Sequence, residues 1–271
     1  MSIWRIITPL VLILVLGCSS HEELPPPDNP FDPGNPDYVS PTVEIIGGPS
    51  ESEIIDVTTV SFEWQGNESA TEYSYQFDGS DWSEWNAGTS TEFDYLDEGH
   101  HTFRVQTRSV NGDAQETPTA LGFGVDAVAG PSALVYPYKH VGNPGDTLIY
   151  QIIAEEVLDL FAVECRIEID DDLELIDIID GNLQSEWGGN ALVIQEITGQ
   201  LFSLSMVSSE STIIAYSGTA EILRIITRIK PTVDTGSEIE AILFSDIRFI
   251  NPQLEAMDIQ ITRSGWIVLN D

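Results

Sequence analysis

Basic side chains are the scarcest class in this 271-residue chain, where 10 Lys and Arg stand against 45 Asp and Glu for a formal net charge of −35. A polyanion of that strength repels phosphate backbones and anionic headgroups, which argues against DNA or RNA binding and against membrane contact made through charge. The deficit is general, since Arg104 and Arg108 are the only bases between residues 42 and 128. It describes an acidic surface rather than one acidic site. Cysteine is rarer still as a residue type: only Cys18 and Cys165 occur. With Cys18 in an N-terminal apolar segment, no internal disulfide is expected, and the fold must stand on its cores. The four histidines, His21, His100, His101 and His140, lack metal-ligand spacing and are expected at the surface. An HExxH pair, paired metal-binding cysteines, a nucleophile elbow and a phosphate-cradling glycine loop are all missing. So many carboxylates place acids side by side by composition alone, so no glycosidase pair stands out. The chain reads as a non-enzyme that needs no cofactor.

What is present begins at the N-terminus. Met1 to Arg5 carries one positive charge, residues 6–16 are apolar, and Gly17 precedes Cys18. That order is a secretory signal, predicted over residues 1–17. Eleven helical residues rise about 16 Å, too little for a hydrocarbon core about 30 Å thick. The run Leu14-Val15-Leu16-Gly17-Cys18 resembles the lipobox of bacterial lipoproteins. The resemblance implies cleavage before Cys18, acylation of its thiol and new amine, and attachment to the membrane by this lipid alone. Ser19, rather than Asp, follows the cysteine; by analogy with lipoprotein sorting this implies the outer membrane or cell surface. Residues 18–41 contain seven prolines from Pro25 to Pro41 and little to bury. They are predicted to be a stiff linker spanning up to roughly 70 Å.

Residues 42–128 alternate apolar and polar side chains in short runs separated by Gly47-Gly48, Asp78-Gly79, Glu98-Gly99 and Asn111-Gly112. Period two with regular turns predicts an immunoglobulin-like β-sandwich. Residues 72–79, Trp82-Ser83-Glu84-Trp85 and residues 96–105 resemble the three-tyrosine and fibronectin type III-like modules of bacterial surface proteins, which implies a spacer. Trp64 is expected in the core. Trp82 and Trp85, with Tyr73 and Tyr75, form a candidate aromatic platform for sugar rings.

Residues 133–271 repeat the pattern with longer, more aliphatic strands, predicted to form a jelly-roll sandwich of roughly nine strands. From 162 to 170, Val163, Cys165, Ile167 and Ile169 share one face and Glu164, Arg166, Glu168 and Asp170 the other. Cys165 is thus expected to be a buried, inert thiol. Asp170-Asp171-Asp172 is read as a polar turn, with weak calcium binding as the alternative. Trp266 is expected in the core and Trp187 in an exposed loop.

The whole second half resembles a cohesin domain. The likeness is carried by Gly145-Asp146-Thr147, residues 160–170, residues 222–230 and Gly265-Trp266-Ile267-Val268-Leu269, with Ile169-Asp170-Asp171 where the family has Tyr-Asp-Pro. It implies attachment to another protein, namely a calcium-loaded dockerin module, received by Glu164, Arg166 and Glu168. Two function classes stay open: protein attachment, and carbohydrate binding in polysaccharide breakdown, because sandwiches of this kind serve both.

Overall fold

Apolar residues at every second position produce an all-β molecule, and the computed structural model describes residues 34–189, 191–209 and 214–270 of it. The signal segment 1–17, Cys18, His21 and the linker up to residue 33 lie outside the described residues. Of the unit Met1–Val39, residues 34–39 are described, and in them the Tyr38 N–H donates to the Asn35 carbonyl at 3.0 Å. No helix among the described residues is long and apolar enough to cross a membrane.

The first sandwich contains β1 (Val43–Gly47), β2 (Ile54–Ile55), β3 (Val60–Gly66), β4 (Glu72–Phe77), β5 (Ser90–Phe93), β6 (Gly99–Arg108) and β7 (Thr119–Val125). Its sheets run β1-β3-β5 and β2-β7-β6-β4. The inward residues are largely rings. Phe62 and Phe103 stack at 4.0 Å between centroids, and Trp64, Tyr73 and Phe123 pack around them. Trp64 is 2 % exposed, as its place in the alternation requires.

The second sandwich contains β8 (Ser132–Tyr136), β9 (Lys139–Gly142), β10 (Thr147–Leu160), β11 (Ala162–Ile169), β12 (Leu173–Asp180), the one-turn α1 (Leu183–Glu186), β13 (Ala191–Thr198), β14 (Leu201–Ser208), β15 (Tyr216–Ile229), β16 (Glu238–Ile250), β17 (Thr262–Arg263) and β18 (Gly265–Leu269). Five strands form the sheet β12-β15-β10-β8-β17 and six the sheet β13-β14-β11-β16-β18-β9. Between them lies an aliphatic core that includes Ile152, Ile167, Leu223 and Ile225. At Gly265 a Cβ would sit 2.6 Å from Val135 Cγ1, so glycine lets β18 cross close over the facing sheet.

Four short strands, β2, β8, β9 and β17, escape the alternation pattern. β2 and β17 have two residues each, and β8 lies between Pro131 and Pro137, which read as loop punctuation. β10 is the longest departure, running from Thr147 to Leu160. It continues through register shifts after Ala154 and Val157, where Glu156 (φ 46°) and Asp159 (φ 55°) adopt left-handed backbone. Such bulges break period two without ending the strand.

Ser40–Asp271 is one compact unit, and the loop between β5 and β6 joins its sandwiches. There Tyr138 N–H donates to Asp97 Oδ1 at 2.6 Å and Glu98 N–H to Tyr136 Oη at 2.6 Å. Lys139 Nζ lies 3.1 Å from Asp94 Oδ1, and Tyr95 Oη donates to Glu238 Oε1 at 3.2 Å. Arg263, 6 % exposed, places Nη1 3.6 Å from Glu98 Oε1 and its guanidinium 4.5 Å from the Tyr138 ring centroid.

Candidate functional site: the open face of the six-stranded sheet

β11 sits between β14 and β16, so its outward side chains lie mid-sheet. Glu164, Arg166 and Glu168 are exposed, whereas Val163, Cys165, Ile167 and Ile169 are buried. Burial pushes the Cys165 thiol up to about 12, which keeps it inert at neutral pH.

Register assembles the outer face in rows, because residues directly opposite in antiparallel pairs project to the same side. One row is Leu192, Val207, Ala162 and Ile250; the next is Ile194, Ser205, Glu164 and Arg248. The third is Glu196, Ser203, Arg166 and Asp246, and the fourth Thr198, Leu201, Glu168 and Leu243. Three of the four rows therefore carry fixed charge, with aliphatic side chains filling the first and flanking Glu168 in the fourth. Ser203 and Ser205 are small, so the β14 line is low in its middle between Leu201 and Val207. Leu192 and Ile194 at the β13 edge are 55 % and 61 % exposed.

Charges on this face interlock loosely. Arg248 lies 3.8 Å from both Glu164 Oε2 and Asp246 Oδ2, with all three side chains about half exposed. Such pairs are screened and exchange partners at little cost. At one end of the face a cavity of about 550 Å³ is lined by Glu168, Asp170, Asp171, Thr198, Gln200 and Glu240 among others. The structure thus brings Glu164, Arg166 and Glu168 together on one uncovered surface. It adds Asp246, Arg248 and Ile194, which lie far away in sequence and could be found only through strand register.

Asp170 to Asp172 make a turn in which Asp170 Oδ1 accepts the Asp172 N–H at 2.8 Å. Lys230 Nζ donates to the Asp171 carbonyl. Among the described residues no group of three or more His, Cys, Asp and Glu could hold a metal ion.

The aromatic platform is not assembled. Tyr73 is buried, and Tyr75 packs against the first core. Trp85 is half-buried with the Arg108 guanidinium 4.6 Å from its ring centroid, and Trp82 is 37 % exposed. Trp187, expected in an exposed loop, is fully buried: it follows α1 and donates its indole N–H to the Leu160 carbonyl at 3.1 Å. The flanking glycines signal a turn, but the indole folds back into the core. Trp266, expected inside, is half-buried, because Gly265, Ile267 and Leu269 take the inward positions of β18. His101, expected at the surface, is 7 % exposed. Its neighbour His100 is exposed.

No family model and no curated protein sequence matches this chain. Solved cohesin structures are similar to it over about half its length. A non-cellulosomal cohesin from Archaeoglobus fulgidus is 13 % identical, with 50 % of this chain and 88 % of that one covered at a TM-score of 0.40. The third cohesin of ScaC from Acetivibrio cellulolyticus, solved with the ScaB dockerin, is 12 % identical over 52 % of this chain and 99 % of that one, at 0.43. For the OlpC cohesin of Clostridium thermocellum, solved with the dockerin Doc435, the values are 15 %, 52 %, 94 % and 0.43. Likeness at this level places no binding residue and names no partner for the chain.

Proposed function

We propose that this chain is a lipid-anchored attachment protein of a bacterial cell envelope. Cys18 carries the lipid, residues 18–41 are the tether, the first sandwich is a fibronectin type III-like spacer, and the second receives another protein on the outer face of β13, β14, β11 and β16. The observation that carries this reading is the arrangement of that face. It is built on rigid strands, uncovered, and charged along its middle with exposed aliphatic side chains at its margin. A protein surface of complementary charge fits it better than a small molecule, because the rows form a broad exposed face and not an enclosed pocket.

The cohesin resemblance makes a calcium-loaded dockerin module the partner to try first, with calcium belonging to the partner. Calorimetric titration of the full chain with such modules tests this. Binding is expected with the parent chain and a loss of about 100-fold or more with Glu164→Lys and Glu168→Lys combined, because like charges then face each other across the interface. Undiminished binding by a folded double variant contradicts the assignment.

A further inference from the structure

Residues 94–98 make most of the polar contacts between the sandwiches, and His101 on β6 holds the base of this loop. His101 Nδ1 lies 2.5 Å from Asp78 Oδ2, and Nε2 lies 2.8 Å from the Asp97 carbonyl oxygen. A carbonyl oxygen and an ionised carboxylate both accept. A neutral imidazole has one N–H, so making both hydrogen bonds requires an additional proton on the His101–Asp78 pair. Asp78 Oδ1 also accepts the Thr102 N–H at 2.8 Å, so the carboxylate is held as an acceptor on both oxygens and the additional proton is placed on the ring.

The Phe77 and Phe123 rings pack against the imidazole with centroids 5.4 and 5.5 Å away. Asp78 and Asp97 are the charged groups acting on it directly. A cavity of about 310 Å³ beside it is lined also by Glu92, Asp94 and, from the second sandwich, Lys139. Burial alone would lower the His101 pKa, but its bonds to Asp78 and the Asp97 carbonyl outweigh burial and hold it above the ordinary histidine value.

We propose that the imidazolium of His101 latches the joint: while charged it fixes residues 94–98 against the second sandwich, and on losing its proton it releases one of its two contacts and lets the sandwiches reorient. A raised histidine pKa gives stability that is complete below the unfolded value of about 6.5 and lost as pH rises through the folded value. Asp97, Glu98 and Glu155 lie at the same joint with pKa values raised chiefly by burial, so their contribution is full below the ordinary carboxylate value of about 4 and starts to be lost at lower pH than that of His101. His140 on β9 opposes them. Its pKa is lowered by burial, so its contribution is full above the unfolded value and lost as pH falls. Above the unfolded histidine value the contribution of His140 is complete and that of His101 is being lost, so the joint slackens on the alkaline side.

Pulsed dipolar spectroscopy tests this on the full chain carrying Cys18→Ser, with nitroxides at Glu116→Cys in the first sandwich and Gln253→Cys in the second. A single narrow distance distribution is expected near pH 6, about twice as broad near pH 8.5, with His101→Gln broad at both. Equal widths in the parent at both pH values, or a His101→Gln chain with the parent's pH response, overturns the proposal. Imidazole nitrogen shifts in the parent supply a reading that does not depend on the variant's folding: a charged His101 ring near pH 6 supports the latch, and a neutral one overturns it.

Discussion

The two sandwiches solve the same packing problem with different side chains. The first closes sheets of three and four strands around a cluster of rings, with Phe62 against Phe103 at its centre and Phe77 stacked on Phe93 at 4.3 Å. The second closes sheets of five and six strands over rows of Ile, Leu and Val, with few rings. A small sandwich has little interior relative to its surface, and large rigid rings fill that interior with few residues. A larger one reaches the same density with alternating aliphatic rows. That leaves the outward positions of long strands free to carry charge without disturbing the core.

The comparison sets an order of sensitivity. Phe62→Ala removes the ring shared by the central contacts and is expected to cost about 3–5 kcal/mol. Thermal unfolding followed by hydrogen exchange should show the first sandwich opening early while β11 and β15 stay protected. Loss of protection in both sandwiches together would break the picture of two separate cores. Ile167→Val in the second core should cost only about 0.5–1.5 kcal/mol by denaturant titration, because one methylene is lost from a row with many members. A larger loss would show that the aliphatic core has an unrecognised keystone. Smallest is Arg248→Ala on the outer face, where half-exposed pairs at 3.8 Å predict a stability change below about 1 kcal/mol. Its effect should appear in binding instead, and a large stability loss would recast that face as structural.

The architecture was legible wherever one sheet face is wet and the other dry. Val163 to Ile169 could be assigned to faces from the sequence, because β11 obeys period two from Val163 onward. The long strands of the second half were legible for the same reason. The extension of β10 was not, because two bulges change which residues face inward. Trp187 shows a different limit: glycines after it mark a turn correctly, yet they do not tell which way the indole folds. His101 was misplaced because a histidine pair beside a turn looks like hydrophilic surface. Its burial depends on Asp78, more than 20 residues away, and on the rings of Phe77 and Phe123. The open face was half legible. Alternation picked out Glu164, Arg166 and Glu168, but Ser205, Arg248 and Ile194 join them only through pairing across β13, β14 and β16.

Which surface a protein partner covers is the central claim. Hydrogen exchange of the full chain, alone and with a saturating calcium-loaded dockerin module, addresses it most directly. Slowed exchange confined to β13, β14, β11 and β16, with the first sandwich unchanged, is the predicted result. Protection on the first sandwich or on the five-stranded sheet, with none on those four strands, would contradict it.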